Sequence, residues 1–530
     1  MLTNTLNLAR FILRRERISL LIWIISIVSF IAMMPIIYEG MYPTEADLQS
    51  AMLMMDNPAF IALLGPNQGV YTIGALFTQE ILLITIIIVA IMNILFGIRH
   101  TRTDEELGRL EMIRSLPVGR LANLSATLLV SLATNATIAI LVGFGLLATG
   151  GEGIDLASSL LFGAVLGVSG LLFASITALF AQLTNSSRSA KGYAFTFLLV
   201  AYIIRAVGDV GNELLSHISP LGLVLKTEAY VNNYWWPLGV ILIQAIMITL
   251  IAFYLNILRD LGAGFLAEKA GPKSASIFLK SPLGLSWRLL KNMIFAWTIG
   301  SLIIGFSFGA ILGEAKTHLA GNEVLQTLLG STNHDASLIE QFIPFLILLI
   351  AIIIAIPLVF VILKLKSEEK HNLTEHLFGR AVSKIQVITG YLFIAIASSI
   401  IFCLTVATGF WLGGLISLDE PINFTTFLSA TLILLPALWI KIGFAVFLLG
   451  WLPKLTNIAI LYLGYSSFVA FFGLMLNLPQ WLMQLSPFEH IPGLPVDKMN
   501  WQSVIVVTFI ALVLTVTGVV GYQKRDIQGW

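Results

Sequence analysis

Residues 99–120 read RHTRTDEELGRLEMIRSLPVGR, and residues 363–384, a fixed 264 positions later, read LKLKSEEKHNLTEHLFGRAVSK. At that offset Arg102 aligns with Lys366, Asp104 with Glu368, Glu105 with Glu369 and Glu111 with Glu375. Val118 then aligns with Val382 and Arg120 with Lys384. Both stretches lie between long apolar runs. A single charged loop of this kind reads as a solvated connection that fixes orientation. A charged surface segment has little packing reason to recur in register within a membrane chain, so the pair reads as two docking surfaces for another protein.

The flanking runs decide the fold class. Of 530 residues, 57% are hydrophobic and 11% charged. A soluble domain carries roughly 25% charged residues, so this chain lacks the charge to cover a water-facing surface. Its apolar runs are about 20 residues long, the length that crosses a bilayer core of ~30 Å. The expectation is an all-α polytopic membrane protein with about twelve transmembrane helices. The first apolar run is too long for a signal-peptide core and lacks a small-residue cleavage site. The single cysteine, Cys403, excludes an internal disulfide or a cysteine metal cluster. A net charge of +1 gives no basis for nucleic-acid binding.

In chain order, residues 1–17 form an amphipathic lead with Arg10, Arg14 and Arg17, suited to an anionic bilayer surface. A first six-span unit occupies 18–258, with spans near 18–38, 77–98, 121–147, 157–181, 193–210 and 236–258. A Gly-, Pro-, Ser- and Lys-rich linker, 259–291, carries a second interfacial segment with Arg288 and Lys291. A second unit, 292–530, has spans near 293–312, 342–363, 385–412, 424–449 and 457–476 and a last one opening at Trp501. The plan repeats: Ser219-Pro220 matches Ser486-Pro487, Trp236 matches Trp501, and Arg259-Asp260 matches Arg525-Asp526. This is a tandem 6+6 duplication. The segments 211–233 and 477–500 are too polar to span and are expected as hairpins dipping into the outer leaflet. Of 30 Lys and Arg residues, 26 fall on one side; Lys226, Lys316 and Lys498 fall on the other and Arg205 within a span. The positive-inside rule then makes both termini cytoplasmic.

Thr103 and Glu106 have the spacing of a capping box. Leu107, Leu110 and Ile113 follow at helical spacing, and Pro117 stops the helix. The expectation is a short helix along the membrane with Asp104, Glu105 and Glu111 exposed. In the second copy Ser367 is the expected cap, with Leu373 and Leu377 as the apolar face. No G-x-x-x-x-G-K-[ST] is present; Gly271-Pro272-Lys273-Ser274 lacks the first glycine and the spacing. No H-E-x-x-H, C-x-x-C or nucleophile elbow appears, so no catalytic, cofactor-binding or metal residue is assigned. His217, His334, His490 and Glu489 fit no ligand spacing, and Met52, Met54 and Met55 read as loop packing. Within spans, Arg205 and Asp209 are four apart and can pair on one helix face. With Glu80 they read either as a wall of a translocation path or as a lock on the fifth span. Lys441 reads as snorkelling at the inner end of its span.

These pieces resemble the ABC-2-type permeases of the polyketide-antibiotic exporter family, in which two six-span units are fused. The resemblance is carried by NPAFIALLGP (57–66), TRTDEELGRLEMIRSLPVGR (101–120), RAVGD (205–209), RDLGAGF (259–265), SPLGLSWRL (281–289) and LSPFEHIPGLP (485–495). It implies an ATP-driven exporter in a bacterial plasma membrane, moving small amphipathic or apolar compounds. ATP and Mg²⁺ would be held by two copies of a separate ABC ATPase subunit. It further implies coupling helices at Asp104, Glu105, Arg109, Glu111 and Arg114, and at Glu368, Glu369 and Glu375. The interfacial segments at Arg10, Arg14 and Arg17 and at Arg288 and Lys291 would also meet the ATPase. The second copy has no Pro where the first has Pro117 and no Arg where it has Arg109. The rivals are a proton-coupled secondary carrier and a membrane sensor or scaffold.

Overall fold

The computed structural model describes the whole chain except residues 57, 152, 267–272, 320–337, 381, 419, 474–477 and 527–530. His334, the Gly271-Pro272 pair and most of the loop expected between the seventh and eighth spans lie outside the described residues. The chain divides into two compact units, Met1–Gly271 and Pro272–Trp530. Among the described residues every regular element is helical and no strand is present. Eleven of the helices are long and apolar enough to cross a membrane, which makes this a multi-pass membrane protein.

In the first unit the long helices are α1 (Thr5–Met41), α2 (Ile73–Ile98), α3 (Ala122–Thr149), α4 (Leu156–Leu183), α5 (Ser187–Gly211) and α6 (Trp236–Leu258). Polar residues start them. Thr72 accepts from Ala75 N–H ahead of α2, Asp155 from Ser158 N–H ahead of α4, and Ser186 from Ser189 N–H ahead of α5. Each satisfies one of the amide groups a helix start leaves free. Helices α2 and α4 form the buried centre around Phe77, Ile86, Phe162 and Phe173. Helix α4 meets α3 through Gly163 and Gly167, where an added Cβ would lie 2.2 Å from Ala139 O and 3.0 Å from Asn135 O. Small residues let backbones approach this closely in a membrane. Within the same packing Asn93 and Asn135 exchange amide hydrogen bonds at 3.0 and 2.8 Å.

The second unit contains α7 (Pro282–Leu319), α8 (Leu338–Lys370), α9 (Lys384–Ser417) and α10 (Phe424–Leu432, resuming as Leu435–Trp451). It ends with α11 (Ile458–Phe472) and α12 (Trp501–Lys524). Its tightest seam lies between α7 and α9. A Cβ on Gly305 would meet Val406 O at 2.6 Å, and one on Gly309 would meet Phe410 O at 2.3 Å.

Three expectations change here. The amphipathic leads are not separate interfacial helices: residues 5–17 are the first turns of α1, and Ser286–Lys291 the first turns of α7. At 1.5 Å per residue, α1 runs about 55 Å, well beyond a bilayer core of ~30 Å. The expected span at 457–476 is represented by α11, whose 15 residues reach only about 22 Å. Lys441 does not snorkel. It is 1% exposed, hydrogen-bonded to Ser466, and lies 3.6 Å from the centre of the Tyr462 ring.

Candidate functional site

The repeated charged segments lie at the ends of the helices that carry most of the Lys and Arg residues. In the first unit α2 does not stop at Ile98. It widens into a π-helical turn, Arg99–Thr103, and adds a last turn, Asp104–Glu106. Thr103 therefore sits inside continuous helix and caps nothing, so the expected capping box does not form. Gly108, at φ 70°, breaks the chain direction, and Arg109–Arg114 forms a separate short helix. In the second unit Ser367 likewise lies inside α8 rather than capping a new helix, and Glu375–Phe378 is a single turn.

Asp104 and Glu105, expected on the surface, are buried at 5% and 8% exposure. The reason is charge satisfaction. Glu105 is gripped by the Arg259 guanidinium at 3.0 and 2.8 Å, lies 3.1 Å from Arg102, and accepts from Gly262 N–H at 2.7 Å. Arg102 donates to the carbonyls of Asn185, Gly262 and Ala263 at 2.6, 2.9 and 3.1 Å. Asp104 pairs with Arg15 at 3.1 Å and Arg109 at 2.8 Å. Glu16 of α1 pairs with Arg99 at 2.9 Å. The backbone adds ties: Gly119 and Leu121 N–H donate to Thr3 O and Met1 O, each at 3.1 Å. The end of α2 is thus fastened to α1, to the α4–α5 turn and to the chain leaving α6.

The second unit repeats the heart of this arrangement. Glu369, 3% exposed, pairs with Arg525 at 2.5 Å, as Glu105 pairs with Arg259. Lys384 donates to Arg525 O at 2.6 Å, just as Arg120 donates to Arg259 O at 2.6 Å. Arg525 also donates to Leu449 O at 2.7 Å. Packing, not surface exposure, explains why Glu105, Arg120, Glu369 and Lys384 recur in register. The matched Arg259-Asp260 and Arg525-Asp526 landmarks held the missing partners. Only a fold that returns α6 to α2, and α12 to α8, identifies them as such.

Other members of the set remain outside. Arg109, Glu111 and Glu375 are exposed, and Arg114 and Glu368 are half-buried. Burial, reinforced by Arg120, lowers the Arg114 pKa from its usual value. Glu368 pairs with Lys364 at 2.5 Å. Around Glu111 stand three exposed apolar side chains: Leu107 at 55%, Met112 at 68% and Leu116 at 60%. A groove of about 430 Å³ runs between Met112 and Leu116 and the start of α1, walled also by Phe11, Arg15 and Asp104. Arg10, Arg14 and Arg17 are exposed along α1, and Arg288 and Lys291 along α7.

The intramembrane residues separate from this set. Arg205 is fully buried and pairs with Asp209 at 3.1 Å. Its second amine donates to Ala62 O at 2.7 Å and Leu63 O at 3.3 Å, and its first to Ile61 O at 3.4 Å. These are end carbonyls of the short helix Pro58–Leu64; Ile61 O also accepts from Gly65 N–H at 2.9 Å, and the arginine supplies donors where a helix end runs short of them. Asp209 also accepts from Ser216 Oγ at 2.5 Å. Arg205 and Asp209 therefore knit the 57–66 motif to α5 and to the hairpin beyond it. Glu80 accepts a hydrogen bond from the Tyr38 hydroxyl of α1 and does not join Arg205 in one cluster.

Eleven membrane-length helices with buried ion-pair clasps at their basic ends define the class as a multi-pass helical membrane protein. A family model described as the C-terminal domain of multidrug efflux system permease Rv1217c matches residues 6–255 and 279–523. The chain belongs to that permease family. The multidrug efflux system permease protein Rv1217c of Mycobacterium tuberculosis (strain ATCC 25618 / H37Rv) is 33% identical over 534 residues, spanning 99% of this chain and 96% of that protein.

Proposed function

We propose that this chain is the membrane subunit of an ATP-driven exporter of the ABC-2 type. It moves amphipathic or apolar compounds out across a bacterial plasma membrane, with ATP and Mg²⁺ bound by two copies of a separate ABC ATPase subunit. The chain itself catalyses nothing. Its architecture is a 6+6 duplication with both termini in the cytoplasm; two matched segments of similar length, 6–255 and 279–523, support the duplication. Four-fifths of the Lys and Arg residues or more lie on the side so assigned.

The observation that carries the ATP-driven reading is the exposed patch of Leu107, Glu111, Met112 and Leu116 on a clasped base. A docking element must present apolar and charged groups to its partner and pass force to the spans without bending. The Glu105–Arg259 clasp supplies the stiffness, and Arg109–Arg114 supplies the contact. In this reading Glu111, Arg109 and Arg114 meet the ATPase, while Asp104 and Glu105 hold the element in place. Glu375 is the exposed counterpart of Glu111 in the second unit.

The test is reconstitution with the ATPase encoded nearest to this chain. Met112→Glu combined with Glu111→Ala should abolish co-purification while leaving the permease monodisperse in detergent. Retained binding and normal export in that variant would overturn the docking assignment. The rival, a proton-coupled carrier, draws on Glu80 within α2. Transport collapsed by a proton uncoupler, yet indifferent to ATP, would establish it instead.

A further inference from the structure

The first helix of each unit carries a pair of cations that the contacts above leave unused. They are Arg14 and Arg17 on α1, and Arg288 and Lys291, which follow 274 positions later on α7. All four are exposed, and among the described residues none has an ion-pair partner. Residues three apart share one face of a helix, so each pair presents two charges side by side.

Helical spacing fixes what that face meets. On α1 it continues through Ile18, Leu21 and Ile25, which are 66%, 55% and 61% exposed. On α7 it continues through Phe295, Ile299 and Ile303, which are 69%, 46% and 58% exposed. An apolar stripe left open along a membrane-length helix lies against lipid, and the cations stand at its basic end, where hydrocarbon gives way to head groups. The other charges of α1 point the opposite way: Arg15 pairs with Asp104 at 3.1 Å and Glu16 with Arg99 at 2.9 Å. At the matching places α7 has Leu289 and Leu290, the latter 2% exposed. Each helix thus turns one side to its own unit and leaves its spare cations on the lipid side. No acidic residue occurs within 269–313, and Glu16 is the single one within 1–38.

We propose that each pair seats the phosphate of an anionic phospholipid, with one acyl chain along the apolar stripe below it. The seats are Arg14 with Arg17, and Arg288 with Lys291. These cations therefore meet the bilayer and not the ATPase. Guanidinium groups can hold a phosphate through two parallel hydrogen bonds, whereas an ammonium acts as a point charge, so the α1 seat is the tighter. A zwitterionic head group brings its own cation and gains less from either pair. On the orientation proposed above these lipids belong to the inner leaflet. Binding itself requires neither an ATPase nor transport.

The full chain is purified in detergent and given equimolar phosphatidylglycerol and phosphatidylcholine with identical acyl chains, and retained lipids are counted by native mass spectrometry. Two phosphatidylglycerol molecules should be retained in preference to phosphatidylcholine. Arg14→Gln with Arg17→Gln should remove one and Arg288→Gln with Lys291→Gln the other, each weakening its seat about thirtyfold. Arg17→Gln or Lys291→Gln alone, should a double variant fail to fold, should weaken its seat about fivefold. Lys226→Gln with Lys498→Gln, at the other end of the spans, should change nothing. Equal retention of the two lipids, or phosphatidylglycerol retention unchanged with all four cations neutralised, would overturn the proposal. So would loss of ATPase co-purification in that fourfold variant with lipid retention intact, which would assign the cations to a protein partner. The Met112→Glu, Glu111→Ala variant should keep both lipids, so a failed docking assignment and a failed lipid seat read differently.

Discussion

Single buried cations do much of the organising in this protein. Arg259 closes two hydrogen bonds on Glu105, and both side chains are about 4% exposed. Removing one partner of such a pair leaves the other charged, buried and unpaired, at a cost of ~3–5 kcal/mol. Arg259→Ala and Arg525→Ala should therefore both lower the melting temperature in detergent by several degrees. The reversed pair, Glu105→Arg with Arg259→Glu, should recover part of that loss. Arg205 acts differently, because it ends a short helix as well as pairing with Asp209. Arg205→Met should expose residues 57–66 to limited proteolysis while leaving cleavage around the α2–α3 connection unchanged.

Among the elements, the unit seams depend on glycine. A side chain on Gly309 would strike the Phe410 carbonyl, which is backbone and cannot rotate away. Gly309→Leu should push α7 from α9 and cost ~1–3 kcal/mol by overpacking, seen as loss of the monodisperse peak in size-exclusion chromatography. Gly300, on the same helix with open space around it, should tolerate alanine and serves as the control. The two charged connections were legible in the sequence as segments recurring in register, but not as to which residues are seated inside. Asp104 and Glu105 have the composition of a solvated helix start. Their burial follows from Arg15, Arg102 and Arg259, which are near in space and up to 154 positions away in sequence. No helical spacing could reveal that.

At the level of the molecule, each unit has its own hydrophobic core: one cluster runs from Ile27 to Ala245 and another from Leu290 to Tyr522. On the proposed export role, two chains cut between 271 and 272 and co-expressed should therefore assemble and restore export to a deletion strain, whereas either chain alone should not. Export by one half would mean that a single unit transports.

The positions of the eleven helices long and apolar enough to cross a membrane, and the clustering of Lys and Arg between apolar runs, are properties of local pattern. A bilayer demands runs of ~20 apolar residues and tolerates few charges, so hydropathy alone reads them. Which charges face water was decided only by tertiary structure. An ion's burial depends on whether the fold returns a partner to within about 3 Å, and neither its own residue type nor its immediate neighbours carry that information. The same holds for Lys441, which reads as an interfacial lysine until α11 places Ser466 and the Tyr462 ring against it.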